Sequence, residues 1–363
     1  MRMAFRAAPA LALAAIGLAA SPGPAAAASG HAVGHVYTET NSAAGNSVAV
    51  FDRASDGTLS SAGSVPTGGT GTGAGLGSQG AIALRGDLLF AVNAGSNDVS
   101  VLRARRGGGL SLLDRVPSGG TDPISLTLRG RLLYVLNNGG AGNISGFVIG
   151  RDGDLTPLSD STRPLAGSGP AQVSFTPDGG RLIVTEKSSS TIDSYDVGPD
   201  GRPSQPASHA SSGAVPFGFD FDRRGDLIVS EAAGGPGGTS AVSSYDVGGG
   251  AFTPISSSVP NGQQAACWVL VSHNGRFAFT ANTGSGTVSS YGVRPDGSVA
   301  LLAGAAQTVG GAPIDMAQPT GGRFLYTLTS GTIAGARQEG DGGLTPLNDV
   351  SGLPASAVGI TAS

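Results

Sequence analysis

The sequence is poor in cysteine, in lysine and in charge of either sign. Among its 363 residues there is one cysteine, Cys267, and one lysine, Lys187, and charged residues make up only 13%, against about 25% in an average globular domain. A single cysteine excludes an internal disulfide. The net charge of −4 provides no basic surface, so we expect neither a nucleic-acid partner nor attraction to anionic membranes.

Residues that break helices are abundant in the sequence. The chain contains 62 glycines and 22 prolines. Inside a helix, each glycine costs about 1 kcal/mol and each proline about 3 kcal/mol relative to alanine. This composition excludes a helical bundle or a coiled coil. The share of glycine and proline is close to that of low-complexity chains. That interpretation applies only when these residues do not recur at a fixed period.

The only long apolar stretch lies at the N-terminus. Arg2 and Arg6 precede an apolar segment at 7–20, and Ala26-Ala27-Ala28 offers a small-residue cleavage site. We therefore predict a secretory signal peptide at 1–28, a folded domain at 29–363, and a secreted or periplasmic location. The apolar segment is short of the roughly 20 residues that span a bilayer, and an uncleaved anchor is the alternative.

A repeat with a mean period of about 48 residues runs through the rest of the chain, a length typical of propeller blades. An apolar run that ends in Asn, Glu or Thr occurs seven times, centred on Tyr37, Phe90, Tyr134, Ile183, Ile228, Phe279 and Tyr326. A Gly-containing turn, such as Asp56-Gly57 or Asp200-Gly201, follows in each repeat. Asp-Gly between alternating apolar residues is a strong hairpin signal.

These signals give four short strands, a to d, in each repeat. Seven such repeats predict an all-β, seven-bladed β-propeller with four-stranded antiparallel blades. The first repeat lacks its strand a, and the chain ends in an apolar segment at 357–361. We expect this segment to complete blade 1, because closure of the ring removes exposed sheet edges. A pair of β-sandwiches or an open solenoid is the alternative.

Propeller topology predicts where a functional site would lie. The b–c loops and the d–a connections emerge on one face, and loops on a rigid scaffold usually carry function. The residues expected at this mouth end strand b or precede strand a: Asn93, Asn137, Asn138, Glu186, Lys187, Glu231, Asn282, Asp122, Gln172, Phe217, Gln264, Trp268 and Asp315. The turns of the opposite face, including that of His273, are interpreted as turn chemistry.

Glu186, Lys187 and Glu231 are the predicted catalytic residues. The single lysine adjoins a carboxylate, which is the pairing that a substrate-charge clamp and a general base require. Glu231 occupies the equivalent position in the next repeat. The alternative is that Glu186 and Lys187 form a solvated loop pair.

The predicted substrate-binding residues are Asn93, Asn137, Arg163, Gln172, Trp268 and Asn282. We expect no cofactor and no metal, although the Asn and Glu oxygens of the mouth would suit Ca²⁺. Alternatively, these side chains cap the strand ends. The segment Gly75–Gly80 matches G-x-G-x-x-G but leads into an apolar strand, which excludes a dinucleotide fingerprint.

The repeats resemble the seven-bladed propeller lactonases, a group that includes 6-phosphogluconolactonases and carboxymuconate cyclases. The resemblance rests on the segments 169–179, 181–186, 191–195, 284–291 and 342–347. It implies the propeller fold and lactone hydrolysis. Members often carry a histidine where this chain has Gln172, so the resemblance assigns no acid–base histidine here.

Three possible functions follow from the sequence. The first is an exported, monomeric lactonase-like hydrolase in which Glu186 or Glu231 activates water and Lys187 or Arg163 stabilises the oxyanion. The second is a non-catalytic binding propeller that holds a small ligand, a glycan or another protein at the same mouth. A Ca²⁺-dependent relative of the gluconolactonase type is a third possibility.

Overall fold

The computed structural model describes residues 32–105, 107, 109–233, 240–250 and 252–363. The predicted signal peptide lies outside the described residues. The described residues form thirty strands, one three-residue 3-10 helix at Gly248–Gly250, and seven antiparallel sheets. No helix in this part of the chain has the length and apolar character to cross a membrane.

Blades 1 to 3 follow one another in chain order, and every neighbouring pair of strands in them is antiparallel. A two-residue strand, β12, extends the outer edge of blade 3. Their strands are β1 (Gly34–Glu39), β2 (Ser47–Arg53), β3 (Leu59–Pro66), β4 (Ile82–Arg85), β5 (Leu88–Asn93), β6 (Asp98–Ala104), β7 (Leu110–Pro117), β8 (Pro123–Arg129), β9 (Leu132–Asn137), β10 (Asn143–Ile149), β11 (Leu155–Pro157) and β12 (Arg163–Pro164).

Blades 4 to 7 repeat this order, and β29 extends blade 7 as β12 extends blade 3. Their strands, with the last strand of the chain, are β13 (Pro170–Phe175), β14 (Arg181–Glu186), β15 (Thr191–Asp196), β16 (Ala207–Ala210), β17 (Pro216–Phe221), β18 (Leu227–Glu231), β19 (Ala241–Asp246), β20 (Thr253–Pro260), β21 (Ala266–Val271), β22 (Phe277–Asn282), β23 (Thr287–Val293), β24 (Val299–Thr308), β25 (Pro313–Ala317), β26 (Phe324–Thr329), β27 (Thr332–Gln338), β28 (Leu344–Pro346), β29 (Val350–Ser351) and β30 (Val358–Ala362).

The last strand closes the ring, as predicted from the sequence. Strand β30 pairs antiparallel with β1 as the innermost strand of blade 1, with Tyr37 opposite Thr361. The C-terminal residue Ser363 donates its backbone N–H to the His35 carbonyl, and its own carbonyl accepts from Arg53 Nη2 at 2.9 Å. The all-β, seven-bladed fold and its closure are therefore confirmed.

Neighbouring blades meet where a c–d turn lies against strand b of the blade before it. A Cβ atom added to Gly201 would lie 2.8 Å from Leu132 Cδ2, and one on Gly342 would lie 2.7 Å from Phe277. Tyr134 also donates its hydroxyl to the carbonyl of Gly201 at 2.7 Å. These turn glycines have positive φ, 81° at Gly201, so the Asp-Gly repeat supplies both the turn conformation and the close approach.

The inner strands are joined across blades by buried polar side chains. Gln172 of β13 donates Nε2 to the Phe219 carbonyl at 2.9 Å and accepts from its N–H at 2.7 Å. Asp220 of β17 accepts from the N–H of Val271 in β21 at 2.8 Å. Because strand a of one blade does not pair with its neighbour as a sheet, these side chains satisfy the backbone groups that face the axis.

The turn contact predicts a specific loss of stability. We expect Gly201→Ala to lower the free energy of unfolding by about 2–5 kcal/mol, from about 1–2 kcal/mol of left-handed backbone strain and about 1–3 kcal/mol of overpacking against Leu132. Gly225, which has φ of 93° and no atom within 4 Å of an added Cβ, is the matched control. Equal losses in Gly201→Ala and Gly225→Ala, measured by urea unfolding, would contradict the packing argument.

Candidate functional site

The upper face of the propeller, defined here as the face that carries the b–c loops and the d–a connections, contains the residues predicted from the sequence. Strand b of six blades ends there in Glu39, Asn93, Asn137, Glu186, Glu231 or Asn282. All six side chains are buried within their blades, with relative exposures of 0–1%. These side chains form hydrogen bonds at the strand ends and are not exposed at the opening of the central channel.

Asn93 shows how such a side chain is held. Its Nδ2 donates to Asp98 Oδ1 at 2.6 Å and to Ser100 Oγ at 2.8 Å, and its Oδ1 accepts from Thr67 Oγ1 at 2.6 Å. Asn137 and Asn282 bond in the same way to hydroxyl and amide groups of their own blades. The strand-capping interpretation therefore describes their contacts, while a substrate-binding role for them stays a prediction.

Glu231 has both carboxylate oxygens occupied. Oε1 accepts from the Gly213 N–H at 2.8 Å and from the Ser243 hydroxyl, and Oε2 accepts from Ser258 Oγ at 2.7 Å. A carboxylate bonded in this way fixes the d–a connection before β17 to the rest of blade 5. Its predicted role as a base would require these bonds to open.

Glu186 and Lys187, which adjoin in sequence, point in different directions. Glu186 is buried in blade 4, where Oε2 accepts from Thr191 Oγ1 at 2.9 Å and Oε1 has no hydrogen-bond partner among the described residues. Burial, followed by the neighbouring Asp193 carboxylate, raises the pKa of Glu186. No ion pair joins Glu186 to Lys187 among the described residues.

Lys187 extends into the central channel. Its Nζ lies 4.6 Å from the centroid of the Phe217 ring and donates to the carbonyl of Gly77. Burial lowers the pKa of this ammonium group, because desolvation disfavours the charged form. The lysine thus lies half-buried, with an aromatic face and a carbonyl as its partners.

A segment of the long connection between β3 and β4 crosses the channel. Gln79 donates its N–H to Ala171 of blade 4 at 3.0 Å and its Nε2 to Val269 of blade 6 at 2.7 Å. Ser78 donates Oγ to Ile124 of blade 3 at 2.7 Å. Since these partners belong to the inner strands of three blades, residues 77–79 fill the axis beside Lys187.

The remaining predicted residues lie in three different places. Trp268 is 4% exposed, donates Nε1 to the Ser78 carbonyl at 2.9 Å, and has its ring 5.0 Å from that of Phe217. Gln172 joins blades 4 and 5, as described above. Arg163 belongs to β12 at the outer edge of blade 3, where Nη1 donates to the Thr162 carbonyl at 2.8 Å.

Oxygen atoms at the upper face do not form a three-residue acidic cluster. In the part of the chain that the structure describes, no three His, Cys, Asp or Glu side chains are grouped as ligands of a metal ion. The Ca²⁺ alternative therefore depends on amide, hydroxyl and carbonyl oxygens in addition to single carboxylates, and it stays a prediction.

A family model described as lactonase, 7-bladed β-propeller, matches residues 29–167 and 231–320, well over half of the chain. The chain belongs to the seven-bladed β-propeller lactonases. The match passes over 168–230, the range that contains Gln172, Glu186 and Lys187. Asn93, Asn137, Arg163, Glu231, Trp268 and Asn282 lie inside the matched segments.

Solved structures share the fold of this lactonase-family chain. A candidate 6-phosphogluconolactonase from Bacteroides fragilis is 20% identical, with a TM-score of 0.73 over 93% of this chain and 100% of that one. The periplasmic gluconolactonase of Pseudomonas aeruginosa is 19% identical, with a TM-score of 0.70 over 91% and 98% of the two chains. No curated protein sequence matches the chain.

Several cavities lie on the lower face, which carries the a–b and c–d turns. One, of about 540 Å³, separates blades 4 and 5 and is lined by Arg181, by Arg223–Asp226 and by Asp246–Gly250. Arg181 begins its strand b where other blades of this propeller have Leu132 or Phe277. The charged side chain and the glycine turn leave the gap that an apolar contact fills elsewhere.

The second cavity, of about 310 Å³, opens at the lower end of the axis and is lined by residues that include Asp220, Arg223, His273 and Gln318. Burial raises the pKa of Asp220 to about 6, and Arg223 Nη2 donates to the His273 carbonyl at 2.9 Å. From the sequence, this face is interpreted as turns, and no cavity is predicted there. The feature that could have indicated the cavity between blades 4 and 5 is a pair of charged residues, Arg181 and Asp226, at a repeat position that is apolar in blades 2, 3, 6 and 7.

Buried carboxyl groups predict that the propeller loses stability as pH rises. Burial raises the pKa of Asp315 from its ordinary value of 3.8 to about 7, and that of Glu39 also lies well above its usual range. The folded state therefore binds more protons than the unfolded state between about pH 4 and 7. Stability that is present at low pH is lost through this window, by about 1.4 kcal/mol per pH unit for each such proton.

This dependence is measured by urea unfolding at intervals from pH 5 to pH 8. We expect the free energy of unfolding to fall over the range and the slope to flatten above pH 7, once Asp315 is ionised. A free energy that rises from pH 5 to pH 7 would contradict the buried, protonated carboxyl groups.

Proposed function

We propose that the protein is an exported lactone hydrolase that acts at the upper mouth of the channel. Membership of the lactonase propellers supports the reaction class. The observation that supports this location is Lys187, whose desolvated ammonium group lies over the Phe217 ring. Among the described residues, it has no ion pair with a carboxylate. An ammonium group in that setting suits the oxygen of a lactone carbonyl, which gains negative charge when water attacks.

The roles of the other residues follow from their contacts. Of the two predicted bases, we assign the role to Glu186, because both oxygens of Glu231 accept hydrogen bonds within blade 5. Glu186 is fully buried, so it reaches a substrate only when the b–c loop at 187–190 moves. Phe217 and Trp268 provide the aromatic wall on which a lactone ring can pack.

Substitution of Lys187 tests this assignment. We expect Lys187→Met to lower kcat/KM about 100-fold or more, the loss that follows removal of one oxyanion donor, on the sugar-acid or muconate-type lactone that the wild type hydrolyses. Arg103→Gln is the charge-matched control, because Arg103 lies in blade 2 and bonds the Asp152 carbonyl on the lower face. Equal rates for the wild type and Lys187→Met would overturn the site, and absence of turnover across the panel would overturn the reaction.

A second function, the binding of a small ligand without turnover, is favoured by the filled channel. Residues 77–79 cross the axis, and the Gly77 carbonyl accepts a hydrogen bond from the Lys187 ammonium group. In addition, this chain has Gln172 where members of the family often carry a histidine. Under this alternative, lactones or sugar acids raise the melting temperature of the wild type and not of Lys187→Met, while no product forms. Metal analysis before and after chelation tests the Ca²⁺ alternative in the same preparation.

Export is proposed from the sequence of residues 1–28. We expect the mature protein, isolated from outside the cytoplasm of an expressing bacterium, to begin at Ser29 when its N-terminus is sequenced. Protein recovered only from the cytoplasm with residues 1–28 intact would contradict export. The periplasmic location of the Pseudomonas aeruginosa relative is consistent with the proposal.

A further inference from the structure

Four blades share one hydrogen bond at the end of strand b. The residue that ends the strand bonds to a serine of strand c, two positions beyond its own cross-strand partner. Asparagine donates in three of these pairs, at 2.8–3.2 Å, and the serine donates in the fourth. The pairs are Asn93 with Ser100, Asn137 with Ser145, Asn282 with Ser289, and Glu231 with Ser243.

Blade 4 has two carboxyl groups in this position. Glu186 pairs with Thr191 across the hairpin, and Asp193 stands two positions beyond, which is the register of the four bonded pairs. Both side chains have a relative exposure of 0%. Glu186 Oε1 and Asp193 Oδ1 have no hydrogen-bond partner in the part of the chain that the structure describes. Their other oxygens accept from Thr191 Oγ1 at 2.9 Å and from the Ala166 N–H at 2.8 Å.

Two ionised carboxylates cannot remain side by side here at low energetic cost. Like charges at short range repel, and burial penalises each charge. Among the described residues, neither carboxyl group has an ion pair with a cation. Each of these buried oxygens therefore needs a donor or a cation, and in the register of the four bonded pairs one proton held by the two carboxyl groups would serve both.

We propose that Glu186 and Asp193 share one proton between Oε1 and Oδ1, so that the pair carries a single negative charge at neutral pH. The proton takes the place of the donor that asparagine or serine supplies in the other blades. The pair also fixes the d–a connection at Ala166 and the start of the b–c loop that carries Lys187. Loss of the shared proton at high pH leaves two charges and weakens this junction.

The titratable groups around the pair do not offset that charge. Tyr195 of β15 donates its hydroxyl to the Pro164 carbonyl at 3.0 Å, and burial, then Asp193 and Glu186, raise its pKa. His209 of β16 contacts Ser194 at 3.0 Å, and burial, then Arg181, lower its pKa, while Asp193 acts in the opposite direction. Lys187 extends away to Gly77 in the channel.

Asp193→Asn tests the shared proton, because the amide can donate to Glu186 Oε1 while its oxygen still accepts from Ala166. In the wild type, infrared spectra at pH 7 should contain one more protonated carboxyl group than in this variant. The number of protons linked to unfolding between pH 5 and pH 9 should fall by up to one in Asp193→Asn. The variant should equal or exceed the wild type in melting temperature at pH 9.

Glu231→Gln is the control, since it makes the same kind of change at a carboxylate whose oxygens already accept three hydrogen bonds. It should lower the melting temperature at every pH and leave the protonated-carboxyl band unchanged. If Asp193→Asn does not fold, Glu186→Gln replaces it with the same expected spectra. An unchanged band and an unchanged proton count in Asp193→Asn would overturn the proposal, as would one equivalent of bound metal in the wild type that either variant loses.

Discussion

The approach of the c–d turn to strand b of the preceding blade, which occurs in blades 1, 3, 4, 6 and 7, is the contact on which the ring depends. It places the backbone of Gly201 against Leu132 and within reach of the Tyr134 hydroxyl, and a side chain at the turn would push the blades apart. Glycine at positive φ satisfies both the turn and the contact. Where the pattern changes, at Arg181 and the turn Gly248–Gly250, the interface opens into a cavity of about 540 Å³.

A second constraint acts at the upper face, where every strand b ends inside a blade. Backbone and side-chain polar groups buried there need partners, and a small set of Asn, Ser and Glu side chains supplies them in blade after blade. Blade 4 departs from this set through Glu186 and Asp193, and the same blade carries Lys187 into the channel. Both departures from the repeat lie in the segment 168–230, between the two parts of the chain that match the family model.

Much of the fold could be predicted because a repeat multiplies weak local signals. One Asp-Gly turn indicates a hairpin, and five of them in phase with seven apolar runs specify blades and their number. The site could not be predicted in the same way. At the end of a strand, neighbouring residues point in opposite directions, so a shift of one residue decides where a side chain lies. Glu186 therefore points into the blade, whereas Lys187 points toward the axis. Arg163 likewise lies at the outer edge of blade 3, on a strand too short to recognise.

The sequence by itself determined the all-β class, the seven blades, the closure by the C-terminal strand and the family, because these depend on periodic apolar runs and turn residues. Only the tertiary structure decided which polar residues are accessible. Burial and hydrogen bonding involve groups that are distant in sequence: Trp268 bonds Ser78, and Lys187 bonds Gly77 across the axis. Such contacts exist only once the ring has closed, so the chemistry of the channel is a property of the assembled blades.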